Sequence, residues 1–318
     1  MTYTQQQTAL YVGIDGSKET LAVATYPTHQ VKVIPNDADH CEALADELAQ
    51  QSVQCVLLEG SGGFEKLIVR ALQQAGVPMA IVPPQRARYF AKSLRGNLKT
   101  DRVDARLLAR FASCYLAPEA TEVPAVQAQL KELWARREQL VQMLESEKKR
   151  VQVATHPLVR ASLERTIAGL HAELAQIEAA IEALVAPDEA LAQKAALLQT
   201  VVGVGWVVAS GLLAELPELG QVSHKVIAAL AGLAPVRRES GRWRGSARIG
   251  GGRCRVRRLL YLAAVVAVSH DARWKAVYQA LLAKGKAKKV ALCAVARRIL
   301  VVMNAMVRDG RAYERKRE

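Results

Sequence analysis

The chain has 318 residues, 51% of them hydrophobic, which is enough to build about two domains with buried cores. Its five cysteines are odd in number and form no CxxC pair, which argues against a disulfide framework or a zinc cage. No basic segment followed by an apolar one opens the sequence, and the apolar run at 290–307 is interrupted by Arg297 and Arg298. We therefore expect a protein of the bacterial cytosol that does not enter a membrane.

The net charge of +14 is concentrated in the last third of the chain. Residues 1–124 and 125–196 each carry a net charge of −1, whereas residues 197–318 carry 23 Lys and Arg against 7 Asp and Glu, or +16. Such an excess predicts a polyanionic partner, of which nucleic acid is the commonest. A basic helix on a membrane surface is the alternative, but the basic residues are spread over a glycine-containing segment.

Alternating strands and helices are predicted for residues 1–124. Short apolar or β-branched runs predict strands at 10–15, 20–26, 30–34, 53–58 and 79–82. Helical periodicity and helix-ending signals predict helices at 39–51, 64–74, 86–94 and 101–113. Three strands followed by a βαβα order predict an α/β layer fold with a mixed sheet, an order that suits the ribonuclease H-like fold.

Residues 125–190 predict a coiled-coil arm of two long helices. Two seams repeat at steps of four and three, and Arg137 interrupts the shorter one. The seams comprise Leu163, Ile167, Leu170, Leu174, Ile177, Ile181 and Leu184, and upstream Leu130, Leu133, Leu140 and Leu144. Thr155, His156 and Pro157 break the helix between them. The arm would fold back on itself or pair with another subunit, and an ordinary helical hairpin within one domain fits the pattern equally well.

Four carboxylates in the first domain predict a metal site. Asp15 and Glu59 each end a predicted strand, and these two strands are neighbours in a ribonuclease H-like sheet. Asp101 and Asp104 are three residues apart and share one face of a predicted helix. Converging carboxylates select Mg²⁺ or Mn²⁺, and two such ions can bridge a phosphodiester during strand cleavage. Taken singly, each residue also has a simpler structural explanation. Asp15 fits a turn and Glu59 a strand end, whereas Asp101 fits the start of a helix and Asp104 a partner for a nearby arginine.

The last domain, 191–318, is predicted to be mainly helical. Gly203 and Gly205 lie between two apolar helices and outline a helix-hairpin-helix, whose backbone N–H groups bind phosphate. Any tight turn between helices would also use such glycines.

An arginine-rich segment at 235–258 predicts a nucleic-acid contact, because arginine guanidinium groups bind phosphates in a bidentate manner and a tryptophan ring stacks on bases. The predicted contacts are Arg237, Arg238, Arg242, Trp243, Arg244, Arg248, Arg253, Arg255, Arg257 and Arg258. A solvated basic loop is the alternative, although arginines with so few acids nearby would repel one another. Ser240 and Ser246 lie within this segment, placed to attack a phosphorus, to hydrogen-bond one, or only to form a Ser-Gly turn.

These residues resemble the DEDD transposases of the insertion-sequence one-ten family. The resemblance covers nearly the whole chain in order, and the run from Lys99 to Ala105, with Asp101 and Asp104, is its most specific part. The other matching segments are 11–18, 58–61, 203–205, 232–235, 239–241 and 251–253.

The resemblance implies a RuvC-like catalytic domain at 1–124, a coiled-coil arm at 125–190 and a transposase domain at 191–318. It implies that Mg²⁺ or Mn²⁺ held by the four carboxylates acts with Ser240, which becomes covalently linked to DNA as a phosphoserine. Ser240 is preferred to Ser246 because it lies in a Glu-Ser-Gly context. The family also implies a structured bridge RNA that selects donor and target DNA, and homodimers that pair into tetramers.

Two other functions fit the residues themselves. One is a metal-dependent, Holliday-junction-type endonuclease that uses water and no serine. The other is a nucleic-acid-binding protein with an inactive nuclease fold, against which the intact set of four carboxylates argues.

Overall fold

The computed structural model describes residues 9–60, 62–94, 100–115, 124–237, 239–240, 243–245 and 247–314, with the backbone alone for 239–240 and 243–244. The chain divides into two compact units, Met1–Glu122 and Val123–Glu318, each with its own hydrophobic core. The division falls two residues before the first domain boundary predicted from the sequence, and the predicted arm belongs to the second unit.

A five-stranded mixed sheet forms the centre of the first unit. Its strands are β1 (Leu10–Gly16), β2 (Thr20–Tyr26), β3 (Val31–Pro35), β4 (Val53–Glu59) and β5 (Met79–Val82). They lie in the order β3-β2-β1-β4-β5, in which β1, β2 and β3 pair antiparallel and β1, β4 and β5 pair parallel. The predicted strands and the mixed sheet are therefore confirmed.

Helices cover both faces of this sheet: α1 (Ala38–Ala49), α2 (Lys66–Gln74), α3 (Pro84–Ser93) and α4 (Asp101–Ala112). Alternate residues of β1 point to opposite faces. Val12 and Ile14 pack in the core that contains residues of α1 and α2, while α4 covers the other face. The predicted start of α2 at residue 64 was two residues early, because residues 64 and 65 lie in a turn in which the Lys66 N–H donates a hydrogen bond to the Gly63 carbonyl oxygen at 3.3 Å.

Two 29-residue helices, α5 (Ala125–Val153) and α6 (Pro157–Val185), form a hairpin that folds back within the chain. Pro157 opens α6, and the His156 ring nitrogen accepts a hydrogen bond from the Leu158 N–H at 3.2 Å. Arg137, which interrupts the seam in the sequence, pairs across the hairpin with Glu178 at 2.7 Å. Trp134 and Ile181 are buried in the core of the unit, so the base of the hairpin is part of that core.

The rest of the second unit is mainly helical, as predicted. Its helices are α7 (Glu189–Gln199), α8 (Trp206–Glu215), α9 (His224–Leu230), α10 (Cys254–His270), α11 (Ala272–Ala283) and α12 (Lys288–Asp309). Between α9 and α10, the described residues form four two-residue strands: β6 (Pro235–Val236), β7 (Glu239–Ser240), β8 (Trp243–Arg244) and β9 (Arg248–Ile249). β6 pairs with β9 and β7 with β8, so the described residues between 235 and 249 form a nested β-ribbon, whereas Cys254 begins α10.

Among the described residues, α12 alone is long and apolar enough to cross a bilayer. It is nevertheless a core helix, because Val295, Ile299 and Met303 are fully buried within the second unit. The helix predicted at 288–307 is therefore confirmed as a core helix; Arg297 and Arg298 interrupt its apolar run but not the helix itself, since arginine is a good helix former and Arg298 is exposed. All five cysteines are free thiols, as expected.

Candidate active site

Two carboxylates lie at one edge of the central sheet. β1 and β4 are parallel neighbours in which Ile14 pairs with Leu58. Asp15 and Glu59 are the next residues of these strands, so both leave the sheet at the same edge. The predicted adjacency of the two strands is therefore confirmed.

The other two carboxylates depend on a close contact between α4 and β1. A Cβ atom at Gly13 would lie 2.1 Å from the backbone nitrogen of Ala109 and 2.3 Å from the carbonyl oxygen of Ala105. Only glycine fits there, because real Cβ atoms do not approach a backbone so closely. Ala105 and Ala109, both fully buried, continue the contact against Ala22 and Ala24 on β2. This small-residue interface sets the helix directly on the strand that carries Asp15.

The first turn of α4 carries Asp101 and Asp104. Thr100 caps the helix, and its hydroxyl accepts a hydrogen bond from the Val103 N–H at 3.3 Å. Negative charges are favourable in this first turn, because unpaired N–H groups give a helix N-terminus a partial positive charge. The helix end thus offsets part of the repulsion that the carboxylates exert on one another.

All four predicted ligands line one cavity of about 500 Å³. The same cavity is lined by Arg88 and Lys92 of α3, and by aromatic side chains of α3 and α4. Asp101 is exposed, whereas Asp15, Glu59 and Asp104 are half-buried. The cavity therefore combines a cluster of negative groups with two cations that the sequence-based prediction of the site did not include.

Asp15 shows the electrostatic effect of this cluster. Its pKa is raised from 3.8 to about 6, first by burial and then by the negative charges of Asp104, Asp101 and Glu59. A hydrogen bond from the Gly16 backbone N–H lowers the pKa but only partly offsets the increase. The Asp15 carboxyl group therefore loses its proton closer to neutral pH than an ordinary aspartate does.

Sharing a cavity is not the same as forming a ligand set. In the described ranges, no three carboxylate, imidazole or thiolate groups already converge as ligands around one point. The four side chains supply oxygen donors of the kind that Mg²⁺ and Mn²⁺ prefer, but metal binding by them stays a prediction.

In the second unit, Gly203 and Gly205 lie where the helix-hairpin-helix outline predicted a turn. Gly203 has a φ of 88°, and a Cβ there would lie 2.4 Å from the Ala263 carbonyl oxygen of α10. Gly205 precedes α8 in an extended conformation and faces open space. Gly203 is thus required for packing, whereas a side chain at Gly205 would meet open space.

The side chains at the tip of the arginine-rich segment fall largely outside the described residues. Arg238, Arg242 and Ser246 are not described, and of Ser240, Trp243 and Arg244 only the backbone is. The β7–β8 register pairs Ser240 with Trp243. Arg237 and Arg248 are exposed at the base of the ribbon. Their predicted roles, and that of Ser240, stay predictions.

Three of the predicted nucleic-acid contacts donate hydrogen bonds to partners inside the protein. Arg253 donates two hydrogen bonds to Glu218, at 2.5 and 2.6 Å, and Arg255 donates one to Glu215 at 2.9 Å. Arg257 donates to the carbonyl oxygens of Gly232 and Gly251. These groups join α10 to the preceding elements, so an internal role competes with phosphate binding at all three positions.

Glu138 of α5 adds a third carboxylate to this arginine cluster. Its Oε2 lies 2.6 Å from the Arg255 Nε and its Oε1 lies 3.7 Å from Arg258, which is more exposed than Arg255. The contact to Arg255 is ionic, without the angle of a hydrogen bond. Burial alone would raise the pKa of Glu218, but the hydrogen bonds from Arg253 hold it below its usual value. Sequence reasoning missed these acids because they lie far from the arginines along the chain.

Comparison with known proteins places both units in one family. A model of DEDD-type IS110 transposases, described as "Transposase", matches residues 12–155. A second, described as "Transposase IS116/IS110/IS902 family", matches residues 195–279. The chain belongs to the IS110 transposase family. Transposases of this family cut and rejoin DNA, so the resemblance inferred from the sequence is confirmed at that level.

Named relatives agree with this membership. The chain is 27% identical to a pilin gene-inverting protein of Moraxella lacunata over 317 residues, which cover 96% of this chain and 98% of the relative. It is 28% identical to the pilin gene-inverting protein of Moraxella bovis over 266 residues, 82% of each chain. An IS110 protein of 43.6 kDa from Streptomyces coelicolor is 30% identical over 164 residues, 50% of this chain and 39% of its own.

The contact at Gly13 leads to a first prediction. We expect Gly13→Ala to lower the free energy of unfolding of the first unit by about 3 kcal/mol or more, because the added methyl group displaces the α4 backbone. Gly169→Ala in α6 is the control: open space surrounds that glycine, so the same change should stabilise the protein by about 0.5–1 kcal/mol. Urea denaturation of both variants provides the measurement, and equal effects would contradict the assigned contact.

The raised pKa of Asp15 leads to a second prediction. Because the folded-state value of about 6 exceeds the ordinary 3.8, the Asp15 charge costs stability above pH 6 and nothing below pH 4. Without metal, Asp15→Asn should therefore gain roughly 1 kcal/mol over wild type between pH 4 and pH 7, after allowance for solvent screening. Thermal unfolding of both proteins in EDTA at several pH values measures this difference, and a constant difference would contradict it.

The internal ion pair of Arg253 leads to a third prediction. Arg253→Gln should destabilise the second unit by about 1–2 kcal/mol, because Glu218 then loses a bidentate partner in a half-buried position. Arg248→Gln removes the same charge from an exposed strand and should change the stability by less than about 0.5 kcal/mol. Denaturation curves decide the matter; if the two variants are equally stable, Arg253 has no internal role.

Proposed function

We propose that this transposase exchanges DNA strands with a divalent metal bound by Asp15, Glu59, Asp101 and Asp104 and with Ser240 as the nucleophile. The observation that carries the metal site is that all four carboxylates line one cavity of about 500 Å³. We assign the first unit to the RuvC-like, ribonuclease H-like fold, which the strand order β3-β2-β1-β4-β5 supports.

The chemistry of the donor set fits Mg²⁺ or Mn²⁺. Four carboxylate groups offer hard oxygen ligands, and a cation compensates for both the burial of Asp15 and the repulsion from its neighbours, which together raise its pKa. When bound, such an ion neutralises charge on a phosphodiester and polarises it for attack. The residues of the chain hold the ion, and Asp15 must release its proton to do so.

Ser240 supplies the attacking oxygen in this proposal. A bond forms between the serine oxygen and phosphorus, one phosphorus–oxygen bond of the DNA breaks, and the leaving hydroxyl takes up the proton that the serine loses. Attack by another DNA hydroxyl on the phosphoserine reverses these steps and rejoins the strand. Each step exchanges one phosphate ester for another, so no further energy source is required.

The remaining partners are inferred from charge and from the relatives. The excess of +16 in residues 197–318 suits polyanions, and we propose that donor DNA, target DNA and a structured guide RNA bind there. Two relatives are named as pilin gene-inverting proteins, a name that describes rearrangement of a DNA segment. We further propose that homodimers pair into tetramers to hold the two DNA partners together.

A fourth prediction tests the chemistry. Asp101→Asn should lower strand cleavage about 100-fold or more, because it removes a ligand from the metal site, and DNA binding should persist. Ser240→Ala should abolish a protein–DNA complex that resists boiling in detergent, whereas Ser246→Ala should retain it. The assay uses the full chain purified with its bound RNA, which is sequenced, in Mg²⁺ and in EDTA.

Each outcome has a distinct meaning. Normal nicking by Ser240→Ala would favour the junction-type nuclease that uses water. Equal behaviour of wild type and Asp101→Asn, with binding unaffected by Mg²⁺, would favour a non-catalytic binding protein. Absence of a specific bound RNA would remove the guided part of the proposal.

A further inference from the structure

Helix α3 forms one wall of the carboxylate cavity. Arg88 and Lys92 are four residues apart and therefore lie one turn apart on the same face of the helix. Both line the cavity, together with Ala87 and Ala91 on the neighbouring part of that face. The two small alanines leave the space between the cations and the carboxylates open.

The composition of α3 is unusual for a helix of a folded unit. None of its ten residues is buried, and Tyr89 is 69% exposed. It contains three basic residues and no acidic one, within a domain whose net charge is −1. An aromatic stack at 4.4 Å between Phe90 and Phe111 connects it to α4. Such a helix contributes little to the core, so its basic face is exposed and can bind a partner outside the protein.

The two cations are not used internally. In the part of the chain that the structure describes, neither Arg88 nor Lys92 has an ion pair or a side-chain hydrogen bond, although four carboxylates line the same cavity. The arginines of the second unit differ, since Arg253 and Arg255 have carboxylate partners within 2.9 Å. The cations of α3 are therefore available to an external anion.

We infer that Arg88 and Lys92 hold the phosphodiester backbone of the DNA strand that enters the carboxylate cavity. Four carboxylates repel a polyanion, and a cationic wall in the same cavity compensates for that repulsion. The arginine guanidinium binds a phosphate in a bidentate manner, with two hydrogen bonds, and the lysine ammonium group adds a single positive charge on a flexible side chain. This inference rests on the proposed function, because it takes the bound anion to be the strand on which the cavity acts.

The salt dependence of DNA binding tests the inference directly. Each phosphate contact contributes about −0.9 to the slope of log K against log salt on duplex DNA and about −0.7 on single strands. Arg88→Gln/Lys92→Gln should therefore reduce the slope by about 1.4–1.8 and weaken binding about tenfold at low salt. Binding is measured in EDTA with fluorescent duplex and single-stranded oligonucleotides, and the full chain is used.

Arg70→Gln/Arg86→Gln is the matched control. It removes two exposed charges from the same unit, and neither residue lines the cavity, so the slope should stay near the wild-type value. Arg88→Lys/Lys92→Arg keeps both charges and should also keep most of the slope. Circular dichroism melting should be unchanged in all three variants, because none of the four residues is buried.

Cleavage assays in Mg²⁺ show whether Arg88 and Lys92 position the DNA strand for the reaction or only attract DNA to the protein. If the cations position the strand, the Arg88→Gln/Lys92→Gln variant loses kcat at saturating DNA as well as affinity. A slope equal to that of the control variant would overturn the inference, whatever cleavage shows. A reduced slope in a protein that cuts no DNA would support the inference while the proposed chemistry fails.

Discussion

The contact between Gly13 and the backbone of α4 is the constraint on which the candidate site depends. Because glycine has no side chain, the helix lies on β1 at a distance that no other residue permits. This brings Asp101 and Asp104 into the cavity that Asp15 lines, at the electrostatic cost that the raised pKa of Asp15 records. Packing and electrostatic repulsion oppose each other here, since the fold holds together charges that would separate in water.

Local patterns predicted most of the first unit, whereas long-range contacts were not predictable in this way. Short apolar and β-branched runs identified β1 and β4, and the ribonuclease H-like strand order placed Asp15 and Glu59 at one edge, as the pairing of the two strands confirms. The sequence did not reveal the role of Gly13, because a glycine within a strand is normally taken only to lower the strand propensity. Its role depends on Ala105 and Ala109, which lie more than 90 residues away in the sequence.

The distribution of charge along the sequence concealed two features of the structure. Arginines at 253–258 have few acidic neighbours in sequence, which argued for an external polyanion. The fold supplies Glu138, Glu215 and Glu218 from 35 or more residues earlier. In the first domain, a net charge of −1 concealed a helix with three basic residues and no acidic one. The net charge of a whole domain therefore does not reveal how charge is distributed on the face of a single helix.

The hairpin of α5 and α6 has a mechanical consequence. At 1.5 Å per residue, its 29-residue helices extend about 43 Å. Its base is clamped at Trp134, whose ring fills the space in which a Cβ of Gly211 in α8 would lie. Glu138, one turn further along α5, contacts Arg255 and Arg258 at the start of α10. The hairpin is therefore anchored at its base to α8 and to α10, the helix that follows the serine-bearing ribbon, so a force applied to its tip would be borne by these two helices.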